Sequence, residues 1–118
     1  MATETFTYDH LFAGDADIIT DSGTLVTGQN LPRGAVLGKI TASGKLKLVD
    51  SAASDGSQAP YAILAANTDA TSADKTCPLY MAGEFNSNGL TFGGTDTAAT
   101  HKVALRDIGI YLKDPVKA

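Results

Sequence analysis

Residues 45–50, KLKLVD, alternate strictly between charge and apolar bulk. In an extended chain Leu46 and Leu48 share one side, and Lys45 and Lys47 the other. That period of two belongs to a half-buried β-strand; a helix would need apolar residues every three or four positions. A turn, Ala42-Ser43-Gly44, comes immediately before it, and the apolar run AVLGKIT, 35–41, reads as the strand before that turn. Punctuation of this kind recurs throughout. The chain carries 12 Gly, and its apolar runs are short and separated by small polar residues. It must therefore bury short strands against one another, as a barrel or sandwich does.

The remaining segments fit that architecture. YAILAAN, 61–67, is a continuous apolar run and reads as a buried strand. CPLYMAGEFN, 77–86, reads as a strand with a bulge at Gly83, followed by a turn at Asn88-Gly89. IYLKD, 110–114, is a last short strand before Pro115. GQNLPRG, 28–34, is a loop, and SAASDGSQAP, 51–60, and TDATSADKT, 68–76, are two long polar loops. One helix comes late. Thr97 or Thr100 caps a start near Ala98, and Gly109 ends it. Ala99, Val103 and Ile108 are expected on its inner side with Leu105 beside them. Ile18–Thr20 and Thr24–Thr27 flank Asp21-Ser22-Gly23, which predicts a tight hairpin with Gly23 at positive φ. The expected class is α+β, mostly β: a small, turn-rich barrel or sandwich with one short late helix.

At 118 residues the chain is one domain, long enough for a core without staples. It has no Trp and only eight other aromatics, so Ile, Leu and Val must supply that core. The single Cys77 has no internal disulfide partner and reads as a small buried strand residue. No apolar run approaches the roughly 18 residues of a membrane span. The first ten residues show neither the basic nor the apolar region of a secretory signal, so the expected place of synthesis is the cytoplasm.

The net charge of -4 is unevenly spread. Residues 1–32 carry Glu4, Asp9, Asp15, Asp17 and Asp21 with no Lys or Arg, while the remainder holds nine basic and eight acidic residues. A nucleic-acid binder would show a basic patch, and the sequence has none. Lys39, Lys45 and Lys47 read as a solvated face. Residues 1–16 lack a sustained period, although ETFTYDHLF alternates loosely. They read as an acidic arm that orders on a partner's sheet edge, joined to a β-rich domain at 17–118.

Ile18-Ile19-Thr20-Asp21-Ser22-Gly23-Thr24 has the form of an aspartic-protease loop, which would require a homodimer so that two carboxylates share a proton. Neither Val36-Leu37-Gly38 nor Asp107-Ile108-Gly109 supplies the second element at suitable spacing, so a turn is favoured. A calcium loop starting at Asp15 would need Gly at its sixth position and Glu at its twelfth, where the chain has Thr20 and Val26. His10 and His101 lack neighbours at metal-ligand spacing; His101 is assigned to the polar face of the helix. Gly93-Gly94-Thr95 lacks the Lys of a phosphate loop. No catalytic residue, metal or cofactor is expected.

Taken together, ETFTYDH at 4–10, GAVLGKITASGKLKLVDSAASDGSQAPYAILAANTDA at 34–70, PLYMAGEFN at 78–86 and LRDIGIYLKD at 105–114 resemble the head decoration proteins of tailed phages, the lambda gpD-like family. The resemblance implies a β-tulip-like fold and a non-enzymatic cement on the outer surface of the virion capsid. It implies homotrimers at three-fold sites of the expanded head that brace it against packaged DNA. It further implies an N-terminal arm that binds the major capsid protein, here Thr3, Glu4, Thr5, Phe6, Thr7 and Tyr8. Neither nucleic acid nor membrane is expected as a partner. The alternatives are a homodimeric aspartic protease using Asp21 and a generic virion surface or adhesion module.

Overall fold

A computed structural model describes residues 18–113. Its strands run Ile19–Leu25 (β1), Asn30–Leu31 (β2), Val36–Lys39 (β3), Leu46–Leu48 (β4), Pro60–Leu64 (β5), Thr68–Asp69 (β6), Lys75–Asn86 (β7) and Ile110–Lys113 (β8). Helix α1, Ala98–Asp107, lies between β7 and β8. Five strands close into a ring in the order β1-β4-β3-β5-β7, with β7 returning to β1. The β1–β4 contact, Leu25 opposite Leu46, is parallel, and the other ring pairings are antiparallel. β8 lies parallel to the C-terminal part of β7. A two-residue ladder joins β2 to β6. The fold is thus mostly β, a small closed barrel with one short helix, as the spacing of the turn signals predicted.

The period-two logic of the sequence becomes two apolar layers. Leu25, Leu37, Leu46, Ala62, Leu64, Cys77 and Leu79 are buried together, and they come from all five ring strands, so this cluster fills the barrel. Val36, Ile63 and Phe85 point the opposite way and pack with Leu105 of α1 and Ile110 and Leu112 of β8. β3 and β5 are therefore covered on both faces, which is why YAILAAN is apolar without interruption. Each fully buried Leu or Ile contributes on the order of 1.5–3 kcal/mol relative to leaving it exposed.

The polar loop between β4 and β5 is pressed onto the barrel by backbone contacts. Asp55 C=O accepts the N–H of Thr41 at 2.9 Å. A Cβ on Gly38 would stand 2.1 Å from the carbonyl oxygen of Ser57, so only hydrogen fits there. The Asp55 carboxylate accepts both the N–H and the hydroxyl of Ser57, itself fully buried.

Three sequence expectations are corrected. Asp21-Ser22-Gly23 is no hairpin: the three lie inside β1, opposite Leu79, Pro78 and Cys77 of β7, and Gly23 is not among the glycines at positive φ. The glycine is required by space instead, because a Cβ would meet Leu46 Cδ1 at 2.8 Å and Leu79 Cδ1 at 3.0 Å. The register shift of β7 falls at Met81, between the partners of Ile19 and Thr20; Gly83, two residues on, has φ 146° where the strand passes from β1 to β8. Finally, α1 begins and ends where expected, with Thr97 and Thr100 in a reciprocal cap, but its inner face is His101 and Leu105. Val103 is 65% exposed and Ile108 41% exposed. Ala98, His101 and Leu105 have the i, i+3, i+7 spacing of a core-facing stripe, and counting His101 as polar moved the expected stripe around the helix.

Gly38→Ala is expected to destabilise the fold by about 3 kcal/mol, because backbone and not a side-chain tip must yield. Gly28→Ala, at φ 100° with nothing within 4 Å, is expected to show only a left-handed backbone cost of about 1–2 kcal/mol. Urea unfolding of the two variants measures both, and equal losses would contradict the packing account.

Candidate functional site

Residues Thr3, Glu4, Thr5, Phe6, Thr7 and Tyr8, together with His10, lie outside the described residues. What the structure supplies is the place where the segment before residue 18 joins the barrel. Ile18 and Ile19 are 43% and 56% exposed at the start of β1. Ile19 is opposite Ala82 of β7, and the Ile18 side chain lies against Gly83. On the far side of β7, Gly83 N–H donates to Gly109 C=O at 3.1 Å, Gly83 is opposite Ile110, and Glu84 is opposite Tyr111. Residues 18–19 and 108–111 thus lie on either side of residues 82–84 of β7. Glu84 Oε1 and Lys113 Nζ form an ion pair there at 3.0 Å.

The groups with chemical potential elsewhere in the described residues serve the fold. Asp96 Oδ2 lies 2.7 Å from His101 Nε2 and accepts the Ser51 N–H at 2.7 Å, while Oδ1 accepts the Ser51 hydroxyl at 2.6 Å. The Phe92 ring stacks on the imidazole with centroids 5.7 Å apart. This is serine, histidine and aspartate in the wrong order for catalysis. In a hydrolase the imidazole stands between serine and carboxylate to take the hydroxyl proton. Here the carboxylate stands between, and it ties the loop after β4 to the start of α1. His101 is consequently 3% exposed and not on the polar helix face. Sequence reading missed this pair, although Asp96 directly before a Thr cap and five residues before a His on the inward stripe was a usable signal.

Carboxylates suited to acid catalysis are held above their ordinary pKa. Those shifted here go down. The Ser57 hydroxyl and N–H, then Lys47, hold Asp55 at about 2. Lys45, at 2.6 Å, and the Thr27 hydroxyl and N–H hold Asp74 at about 2. Hydrogen bonds from Ser51, then His101, lower Asp96, and those from Thr71 lower Asp69. Asp21 is exposed, and its carboxylate accepts the N–H of Ser22 at 2.8 Å. Cys77 is a buried strand residue, as expected, and burial pushes its thiol pKa up, away from the nucleophilic thiolate. Among the described residues no group of three or more His, Cys, Asp or Glu is placed to hold a metal ion.

A groove of about 400 Å³ is lined by Gln29, Lys47, Leu48, Asp50, Gly93 and Gly94. Its polar side chains already have partners: Gln29 accepts from Leu48 N–H, Asp50 from Ala52 N–H, and Lys47 pairs with Asp55. Convergent unsatisfied groups, which define ligand pockets, are not what lines it.

The described residues thus form a closed barrel whose shifted carboxylates have lowered pKa values, with Ile18 and Ile19 exposed at the start of β1. The family model for bacteriophage lambda head decoration protein D matches residues 1–110. The chain belongs to that family, and it is a structural decoration component of the phage head. Comparison with curated proteins gave no significant match.

The carboxylate shifts fix a pH dependence. Groups whose folded pKa is depressed contribute stability above their unfolded value and lose it as pH falls through the folded one. For Asp55 and Asp74 that window runs from 3.8 down to about 2. Thermal midpoints should therefore fall steadily across it, and Asp74→Asn should flatten the fall; an unchanged slope would contradict the assignment. Asp21→Asn is expected to alter stability by less than about 0.5 kcal/mol, as an exposed substitution does.

Proposed function

We propose that this decoration protein acts as a cement. It binds as a homotrimer at three-fold sites of the expanded head, on its outer surface, and stabilises the shell against packaged DNA. Residues 1–16 form the arm, and Thr3, Glu4, Thr5, Phe6, Thr7 and Tyr8 contact the major capsid protein. The chain is made in the host cytoplasm, and neither nucleic acid nor membrane is a partner. The observation that carries this reading is that the family match begins at residue 1, so it includes the arm as well as the barrel. The loose alternation of ETFTYDHLF and the acidity of the first 32 residues support it: such a segment pairs through its backbone and suits a basic receiving surface.

The energetics need no chemistry. A protein that binds only the expanded shell stabilises that state by RT ln(1 + [L]/Kd), about 2.7 kcal/mol per site at one hundred times Kd. Three arms on one trimer bind far more tightly than one, since the second and third engage at high effective concentration. Discrimination between shell states follows when the receiving surface exists only after expansion.

Co-sedimentation of the protein with expanded and unexpanded undecorated shells is the test. Saturable binding to expanded shells alone is expected, with loss of binding on deletion of residues 2–8 and a weaker isotherm for Phe6→Ser in the full chain. Absence of binding, or equal binding to both shells by the intact protein, would overturn the reading; binding to a cell-surface ligand without regard to the shell would favour an adhesion module.

A further inference from the structure

Alternate residues of an extended strand aim their backbone N–H and C=O at opposite edges. In β1 that alternation can be traced through the neighbouring strands. Val26 N–H, just past the end of β1, donates to Leu46 C=O of β4 at 2.9 Å. The backbone groups of every second residue before it, Thr24, Ser22 and Thr20, therefore face that same edge. Pro78 of β7 gives the same result from the other side. It is opposite Ser22, has no N–H, and turns its C=O to the Ala65 N–H at 2.9 Å, so its backbone offers nothing to β1. Among the described residues the outward edge is open before Leu25. β4 pairs with β1 only where Leu46 is opposite Leu25, and the parallel partners of earlier residues would be Lys45 and Gly44, which lie before β4 begins. Ile19, Thr20, Asp21 and Ser22 are all exposed.

The outward N–H of Ser22 is covered by its own neighbour: it donates to Asp21 Oδ1 at 2.8 Å. Asp21 has no ion-pair partner among the described residues. The cations are placed elsewhere. Lys45, Lys47 and Lys113 are held by Asp74, Asp55 and Glu84, Lys39 lies over the Tyr61 ring, and Arg106 is on α1. An open strand edge takes an extended backbone, and an uncompensated carboxylate on it takes a cation. We propose that Thr20–Ser22 of β1 is a strand-addition site for an extended segment of the shell subunit that carries a Lys or Arg opposite Asp21. Asp21 guards the site. In the free protein its carboxylate occupies the Ser22 N–H and blunts the edge. Pairing of two such edges about Asp21 would also set like charges opposite one another. On docking, the carboxylate passes to the incoming cation, and the Ser22 N–H passes to a C=O of the incoming segment. This inference rests on the cement reading and adds to the arm a contact made by the folded barrel.

Ser22→Pro and Asp21→Lys, in the full chain, test the inference by co-sedimentation with expanded shells. Ser22→Pro removes an outward N–H that the β7 ladder does not use, as prolines on strand edges do. Asp21→Lys reverses the charge. Each is expected to raise Kd about tenfold or more, because a group of the docked segment is left unsatisfied. Val103→Ser, at a residue 65% exposed on α1, should leave Kd unchanged. Thermal midpoints of all three should stay close to that of the unmodified protein. Hydrogen exchange of the unmodified protein gives a readout independent of substitution: the Thr20 and Ser22 amides should exchange about tenfold or more slowly on saturated expanded shells. Unchanged exchange there would overturn strand addition whatever the variants do, and so would a loss of affinity confined to Asp21→Lys, which would mark a charge contact alone. Full affinity of both variants, while deletion of residues 2–8 abolishes binding, would overturn this inference and leave the cement reading standing. Absence of binding by the unmodified protein would overturn both. Exchange that slows as the free protein is concentrated without shells would assign the edge to contact between copies and overturn shell docking.

Discussion

Closure of the barrel depends on β7 pairing with three strands along its twelve residues. Residues 75–82 lie against β1 while Leu79 and Tyr80 also pair with β5, and the last four residues pair with β8. A strand so used must bend, and the bend is built from the extra residue at Met81 and the positive φ of Gly83. Without it β7 would run straight past the ring, and neither the barrel interior nor the layer under α1 would close. Bulges and glycines commonly make barrel corners for this reason. The same bend lets β7 pass from β1 to β8, so one strand serves both the barrel interior and the layer under α1.

How far the sequence revealed this depended on whether the deciding contact was local. β3, the Gly44 turn and β4 were legible because period and turn chemistry agree within fifteen residues. The ends of α1 were legible because Thr97, Thr100 and Gly109 act on neighbouring backbone. The β1 segment was misread because Asp21, Ser22 and Gly23 favour turns locally, while their actual partners, Leu79, Pro78 and Cys77, are more than fifty residues away. A long ladder outweighs the turn preference of three residues, as tertiary context does generally for strands. Gly23 shows the same limit differently. Its need for a missing side chain comes from Leu46 and Leu79, and no property of neighbouring residues announces it. His101 was misplaced because residue type was allowed to decide burial, whereas the Asp96 carboxylate satisfies the ring and makes burial affordable. The candidate site divides likewise: the expectation of an arm at residues 3–8 came from composition and the family resemblance and lies outside the described residues, whereas the pairing of β1 and β8 along β7 is visible only in the strand register.

The polar groups of the fold share a pattern. Asp55, Asp74 and Asp96 each collect one backbone N–H, one hydroxyl and one cationic or imidazole partner. Each anchors a loop to a strand or helix end. Individually, exposed ion pairs add little. Here the carboxylates also satisfy backbone donors, which would otherwise cost stability wherever water is excluded. Loops of small polar residues are thus held in one shape without a large apolar commitment, which suits a chain with few aromatics. Ionised, fully engaged carboxylates are also poor proton donors, so the feature that orders the loops removes them from acid catalysis.

A decoration protein of a phage head must avoid binding itself through open strand edges. The ring accomplishes this for β1, β3, β4 and β5, each of which has two neighbours, and for β7, which has three. Among the described residues β8 has one neighbour, and its four residues include Lys113, a short and charged edge of the kind that resists edge-to-edge pairing. Among the described residues the strand edges are thus closed or blunted, so backbone pairing between free copies of the barrel is disfavoured by the fold itself, with no help needed from net charge.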